Sequence, residues 1–464
     1  MIRISDVKQV GGVKQAAKAI PAKALAVPKR PKRSGTSLKP ADFADGSEAA
    51  RTLDTLVEDA ASARASAVHI EPRGTDIFVR YRIDGLLRPG KTILPPATRA
   101  LIARVKLLAN LDVEESRVPQ DGRFQADTTK EHHLIRAAVV PVADGEKLVL
   151  HIVDESATTY DLSQLGFWGH SLHALQDGIT QNHGLIIVSG PAGSGKTSTL
   201  YGLLQVVADP SLNIVTVEDS IEHRLASINQ TPVNLKAGMT YAGALRAVLR
   251  QDPNVLMVSE LREPETAGMA LQAALSGRLV LAGMHTHDVA STLAHLVAMS
   301  MEPYLLASVV RTVVNQRLVR RLCTKCREPY KPVAGEFESA CAACGLQPSE
   351  AISHLALLQK AAAAENAIEV GAKVISAGKV VRLWRANPGG CEACGGTGYK
   401  GRVAIAEVLT VSPHVQKLIF STTSPAAIYG QAIAEGMVPL PMDGFVKALL
   451  GQTSVEEVLR VVTQ

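Results

Sequence analysis

The sequence predicts an α/β protein, and three observations carry the prediction. Short apolar, β-rich runs at Leu185–Val188, Asn213–Val217, Val255–Val258 and Leu279–Ala282 are separated by helix-length amphipathic segments. That pattern belongs to a parallel sheet covered on both faces. The first run feeds Gly190-Pro191-Ala192-Gly193-Ser194-Gly195-Lys196-Thr197, with a helix starting near Lys196, the strand–loop–helix order of the G-x-x-x-x-G-K-[ST] motif. A block of alternating strands, residues 47–157, comes before it. A chain of 464 residues is too long for one core, so two to four domains are expected.

In chain order, residues 1–46 read as a basic, disordered leader. Residues 1–40 hold ten Lys and Arg against the single acid Asp6, so they contribute +9 and the rest of the chain carries −4. An acidic body argues against a nucleic-acid partner. Gly46–Ser66 has helical apolar spacing at Ala50, Leu53, Leu56, Val57 and Ala60. Ile77–Asp84 alternates, placing Ile77, Val79, Tyr81 and Ile83 on one face and Arg80, Arg82 and Asp84 on the other. A helix near Thr98–Leu111 and strands near Arg123–Ala126, Leu134–Val140 and Leu148–Val153 complete a small α+β domain. Residues 162–322 read as a RecA-like P-loop core, 323–402 as a cysteine-rich subdomain with an insertion, and 403–464 as a helical C-terminal segment with helices from Pro413 onward. No signal peptide or membrane span is visible: the uncharged stretch Gly178–Gly195 contains the glycine loop, and Leu418–Ala434 contains Ser, Thr, Gln and Pro. The expected location is cytoplasmic.

The loop residues each have a physical task. Gly190, Gly193 and Gly195, with Pro191, Ala192 and Ser194, let backbone amides turn inward toward phosphate. Lys196 places a charge near the β/γ-phosphates, and Thr197 offers a hydroxyl to Mg²⁺. The helix start at Lys196–Ser198 adds its positive dipole end. Nucleoside triphosphate, ATP or GTP, with Mg²⁺ is the implied ligand. Two acids lie at strand ends beside it: Glu218 closes Val215-Thr216-Val217, followed by Asp219, and Glu260 follows Val255–Ser259. In open α/β sheets ligands sit at the carboxyl ends of strands. His285 follows the strand Leu279–Gly283 and can sense a γ-phosphate or hold carboxylates.

Cysteines form three C-x-x-C pairs, Cys323/Cys326, Cys341/Cys344 and Cys391/Cys394. Reduced paired thiols read as zinc ligands before disulfides. Six thiols do not complete two Cys₄ sites, and by spacing alone Cys323/Cys326 joins either of the other pairs.

Together these pieces resemble the hexameric secretion and pilus-assembly ATPases of type II secretion and type IV pilus systems, over about residues 47–464. Ser66–Pro72, Tyr81–Gly85 and Pro119–Arg123 resemble markers of the family's N2 domain. Val217–Glu222 resembles its aspartate box, Ser259–Ala267 its Walker B stretch and Gly283–Asp288 its histidine box. Gln316–Cys326 and Cys391–Glu407 resemble its tetracysteine region. The resemblance implies an ATP-hydrolysing homohexamer that drives assembly of a pilus or pseudopilus through an inner-membrane platform protein. It would be peripheral to that membrane through its partners. Glu218 would be the general base and Glu260 would handle Mg²⁺, or the reverse, with His285 beside them. Arg80, Arg82 and Arg123 would approach the γ-phosphate on domain closure, and Cys323, Cys326, Cys391 and Cys394 would hold Zn²⁺. The chain departs from the family at Ala67 (usually Asp), Ser220 (Pro), Ser259 (Gly), Arg278 (His), His287 (Asn) and His151 (Arg). It also reads as lacking the longer N1 domain of many secretion ATPases. Three rivals stand beside this reading. One is an ATP-binding ring scaffold without turnover. Another is a retraction or type IV secretion motor, against which the tetracysteine region counts. The third is a DNA-translocating RecA relative, against which the acidic body after residue 40 counts.

Overall fold

The computed structural model describes residues 44–73, 76–93, 95–128, 132–153, 160–364, 375–376, 379–421 and 424–463. The leader up to residue 43 lies outside the described residues. The first sheet unit begins with α1 (Glu48–Ser62), capped by Ser47, whose hydroxyl accepts the Ala50 N–H at 3.2 Å. It continues through β1 (Ala65–Arg73), β2 (Asp76–Ile83), β3 (Leu86–Ile93), α2 (Pro95–Leu108), β4 (Gln120–Asp127), β5 (His132–Val142) and β6 (Gly145–Val153). The six strands form an antiparallel sheet in the order β3-β2-β1-β6-β5-β4. One face buries Ile70, Val79, Tyr81, Ile135, Leu148 and Leu150 with Leu53, Val57, Leu101 and Val105 of the two helices. By the two-residue period of a strand, Arg80 and Arg82 lie on the other face. The helix expected over Gly46–Ser66 ends at Ser62, because Ala65 already pairs with Ile83 in the sheet.

The second unit runs α3 (Leu162–Leu165), α4 (Gly169–Thr180), β7 (Gly184–Ser189), α5 (Lys196–Val207), β8 (Ile214–Glu218), β9 (Asn229–Pro232), α6 (Tyr241–Leu249), β10 (Val255–Val258), α7 (Pro264–Leu275), β11 (Leu279–Met284), α8 (Val289–Ala298), α9 (Pro303–Val309) and β12 (Val310–Leu322). The cysteine-rich stretch holds β13 (Glu328–Tyr330), α10 (Glu336–Ala343), α11 (Pro348–Ala364), β14 (Ile375–Ser376), β15 (Lys379–Val380) and β16 (Leu383–Arg385). Then follow β17 (Tyr399–Thr410), α12 (Pro413–Ser421), α13 (Pro425–Ala434), α14 (Leu440–Leu449) and α15 (Val455–Val462).

The main sheet has the order β17-β12-β7-β11-β10-β8-β9. Neighbours are parallel throughout except β17, which is antiparallel to β12. β7, β10 and β11 are buried at every residue. Their alternate side chains feed two apolar layers, Leu185, Ile187, Leu256 and Val280 on one side, Ile186, Val188, Met257 and Leu281 on the other. Residues 403–410, read from sequence as part of a helical segment, are instead the flank of this sheet, and the helical region starts at Pro413. The run Val403–Val408, apolar except for Glu407, is short and fully buried, a pattern that periodicity cannot assign to helix or strand.

Candidate functional site

Because β7, β8, β10 and β11 run parallel, their carboxyl ends share one edge, and the four loops leaving that edge meet. The loop after β7 turns through Gly190 at φ 145° and Gly195 at φ 88°. A Cβ on Gly190 would stand 2.4 Å from the Gln316 carbonyl oxygen, so a side chain there would displace β12. Gln316 itself braces the loop: its amide donates to Ser194 O at 2.8 Å while its oxygen accepts the Thr199 hydroxyl at 2.9 Å. The helix α5 then starts at Lys196, giving a cradle of backbone amides and a helix N-terminus, which suits a polyphosphate.

Lys196 Nζ donates to Gly190 O at 3.0 Å and Pro191 O at 3.1 Å, and lies 3.1 Å from His285 Nδ1. His285 Nε2 is 2.8 Å from Glu260 Oε1, and the other Glu260 oxygen accepts from Arg262 at 2.6 Å. Nδ1 also lies 3.1 Å from the Gly190 carbonyl oxygen, so it accepts from the Lys196 ammonium in one tautomer and donates to Gly190 O in the other. Burial pulls the Lys196 ammonium down to about 8, opposed by Glu260 and Glu222 and assisted by Arg262 and Arg317. A phosphate chain against Lys196 would supply the counter-charge this ammonium lacks at contact distance.

Glu218 and Glu222 occupy different places. Glu218 is 0% exposed, and its carboxylate is enclosed by the Tyr201 hydroxyl at 2.5 Å, the Thr216 hydroxyl at 2.6 Å and the Gln230 amide at 3.1 Å. Gln230 also donates to His223 O and accepts from Leu225 N, so the same cluster fixes the segment after Glu218. Glu222, one loop turn further on, accepts from Thr197 Oγ1 at 3.4 Å. Burial on its inner side, with the nearby Glu218 charge, raises its carboxyl above the usual range, while Thr197 and Lys196 pull it back. The candidate acids facing Thr197 and Lys196 are therefore Glu222 and Glu260. Sequence reading placed Glu222 in the aspartate-box motif but gave it no role; its signal is the four-residue spacing from Glu218 once the strand is known to stop at 218.

The arginines read from the small domain lie on its sheet face away from the helices. Arg80 is bound to Glu71, 2.8 Å to both carboxylate oxygens, and Glu71 also takes Lys147 at 2.9 Å and Arg73 at 3.1 Å. These cations hold the Glu71 carboxyl at about 2 in spite of its burial. Arg82 donates to Gly85 O at 2.9 Å. Arg123 is exposed on β4.

The thiols of Cys323, Cys326, Cys391 and Cys394 all lie within 4.8 Å of one another. Cys323 Sγ is 3.7 Å from Cys391 Sγ, and Cys326 Sγ is 3.9 Å from Cys394 Sγ. Tetrahedral zinc with Zn–S near 2.3 Å sets S···S edges at ~3.8 Å, so the quartet fits that ion. Against burial that raises it, the backbone amides of Cys391 and Gly398 pull the Cys394 thiol down toward thiolate. Cys341 belongs elsewhere: it is wholly buried in α10 with Phe337, Leu355 and Phe445, and burial pushes its thiol up to about 12. The pairing of Cys323/Cys326 with Cys341/Cys344 is thereby set aside.

A family model described as "Type II/IV secretion system protein" matches residues 42–460. The chain belongs to that family. Among curated relatives of this secretion-family chain, the type IV pilus assembly ATPase PilB of Thermus thermophilus is 38% identical over 415 residues, 89% of this chain and 43% of that protein. The chain thus spans under half of that relative's length. The type II secretion system protein HxcR of Pseudomonas aeruginosa is 38% identical over 420 residues, covering 90% of this chain and 78% of HxcR. Two solved structures share the fold. The Yersinia pseudotuberculosis ATPase DotB has a TM-score of 0.61 at 17% identity, covering 92% of this chain and 96% of that one. The pilus retraction motor PilT with bound ADP has a TM-score of 0.52 at 20% identity, covering 85% and 96%. In this family member no described helix is long and apolar enough to cross a membrane.

Proposed function

We propose that this secretion-family ATPase hydrolyses ATP with Mg²⁺ and acts as a homohexameric motor for assembly of a type IV pilus or type II secretion pseudopilus. The observation that carries the reading is the meeting of Lys196, Glu222, Glu260 and His285 around one glycine loop, on strand ends that the parallel sheet brings to one edge. Bound Mg²⁺ supplies positive charge at the developing phosphate. Thr197 and Glu260 offer the oxygens that would hold it. The loop amides and Lys196 bind the phosphate chain and hold it in line. Glu222, with its raised carboxyl, orients water and takes its proton, and Glu218 keeps the Glu222 segment in place. His285, between Lys196 and Glu260, passes a change at the terminal phosphate to the α8 side of the sheet. Domain closure would bring the arginine face of the small domain to the same phosphate. The four thiols would hold structural Zn²⁺.

An inner-membrane platform protein is the proposed partner, and the location is cytoplasmic at that membrane. The names of the relatives PilB and HxcR place those proteins in type IV pilus assembly and type II secretion, and the partner is proposed on that ground. The test is steady-state phosphate release with MgATP by the full chain, beside its mass in solution with nucleotide. Turnover lost in Lys196→Ala, Glu222→Gln and Glu260→Gln supports the reading. Undiminished turnover in Lys196→Ala, or none in the wild type, overturns it, the second result in favour of a ring scaffold.

A further inference from the structure

The backbone ladder between β8 and β10 ends where the Ser259 amide donates to Val217 O at 2.9 Å. In parallel pairing the next bond along would run from the Asp219 amide to the Ser259 carbonyl. That carbonyl lies against Gly283 of β11, where a Cβ would come within 2.1 Å of its oxygen. The Ser259 hydroxyl takes over and accepts the Asp219 N–H at 3.3 Å. The same hydroxyl meets the Tyr241 hydroxyl at 2.8 Å, and either oxygen can donate. Tyr241 is the first residue of α6, and it packs against the apolar layer that holds Val217, Leu245 and Val258.

One side-chain oxygen thus joins the end of β10, the segment leaving β8 and the start of α6. Both acids that face Lys196 and Thr197 depart from these joined ends. Glu260 follows Ser259 directly, and Glu222 lies three residues beyond Asp219. At their far sides Glu260 meets His285 and Arg262, and Glu222 meets Thr197. Burial, with the Asp219 and Glu260 charges, pushes the Tyr241 phenol up to about 12 against the pull of the Ser259 bond and Arg262, so it stays a neutral hydroxyl.

We propose that Ser259 and Tyr241 are positioning residues of this site: their hydroxyl pair sets the separation between Glu260 and the Asp219–Glu222 segment, and its loss falls on the chemical step rather than on nucleotide binding. This rests on the nucleotide reading given above, in which Glu260 serves Mg²⁺ and Glu222 the attacking water. A metal and a water must be held at one mutual distance when the terminal phosphate is transferred. The loop amides and Lys196 grip the phosphate chain from another segment, between β7 and the first turn of α5. Loosening the acids therefore leaves affinity in place and lowers turnover.

Steady-state phosphate release by the full chain with MgATP tests this in Ser259→Ala, Ser259→Thr, Tyr241→Phe, the double variant Ser259→Ala/Tyr241→Phe, and Lys196→Ala. Ser259→Ala and Tyr241→Phe should each lower kcat about five- to tenfold, with KM within about twofold of wild type. Ser259→Thr, which keeps a hydroxyl, should recover most of the loss seen in Ser259→Ala. The double variant should lose no more than the worse single one, because either change breaks the same bond. Tyr241→Phe removes one oxygen and keeps the packed ring, so it still tests the bond if Ser259→Ala folds poorly. The proposal fails if Tyr241→Phe keeps kcat within about twofold of wild type while Lys196→Ala is inactive, if the loss lies in KM, or if the double variant shows the product of the single losses. Should Lys196→Ala retain turnover, the nucleotide reading itself has failed and the positioning role goes with it.

Discussion

Tyr201 donates its phenolic hydroxyl to Glu218 at 2.5 Å, deep inside the sheet, and the two residues come from different elements, α5 and β8. The contact ties the helix that starts at the phosphate loop to the strand that delivers the acidic segment. Tyr160 and His223 pack edge-on against the Tyr201 ring at 5.5 and 6.5 Å, so the hydroxyl has little freedom to leave.

From this follows a division between the two glutamates. Glu222→Gln should lower kcat by about 10²–10⁴ with little change in melting temperature. Tyr201→Phe removes a partner of a buried carboxylate and should cost about 1–3 kcal/mol of stability, with a smaller loss of turnover. Phosphate-release kinetics and thermal melts on both variants distinguish acid chemistry from support. An equal kinetic loss in Tyr201→Phe would contradict the division.

Metal content offers a second check. Purified protein should carry about one zinc per chain, and Cys326→Ser should lose it. Chelation should lower the melting temperature and loosen Leu322 and Tyr399, the residues that adjoin the quartet on β12 and β17. Cys341→Ala should retain the zinc. Elemental analysis and hydrogen exchange measure both.

A buried ion pair makes the third prediction. Lys447 Nζ is 2.6 Å from Asp443 Oδ2, and both side chains are at most 3% exposed. The carboxylate also accepts from Trp168 Nε1 and Ala406 N. Asp443→Ala leaves the Lys447 ammonium uncompensated and should destabilise by about 3–5 kcal/mol. Adding Lys447→Met should recover much of that loss. Chemical denaturation of the single and double variants measures the coupling.

Acid stability is the fourth. Glu71 and Glu457 both fall from 4.5 to about 2 in the folded chain, against the burial of each, through Arg80 and Lys147 for Glu71 and through Arg460 and Arg320 for Glu457. A depressed carboxyl binds fewer protons folded than unfolded. Its stabilisation is full above 4.5 and is lost as pH falls toward about 2. Glu71→Gln should flatten the acid side of the stability–pH curve, read by denaturant titration at successive pH values.

Local geometry made the glycine loop legible: residue types fixed by backbone conformation and charge leave a contiguous mark, and the strand before it is a plain apolar run. Pairing leaves no such mark. Ala67 and His151 are separate departures from the family in the sequence, yet they face each other across the β1–β6 ladder. An alanine thus stands opposite a titratable ring in the folded sheet. Glu218 and Glu222 are indistinguishable as carboxylates until the strand end shows which one points inward. The cysteine partners were open for the same reason, since spacing carries no information on which loops return to the end of β12. β17 was missed because its buried run lacks the alternation of a half-exposed strand.

The strand order has a consequence for biosynthesis. The phosphate-loop strand β7 is flanked by β12, and β12 in turn by β17, whose residues are translated roughly two hundred positions after the loop itself, a high sequence separation for core pairing. Until the ribosome delivers Tyr399–Thr410, the outer hydrogen-bonding edge of β12 has no mate, and such edges recruit other chains. A nascent or prematurely terminated polypeptide therefore holds a complete loop motif beside an unfinished sheet, and that sheet is completed only after Tyr399–Thr410 have been made.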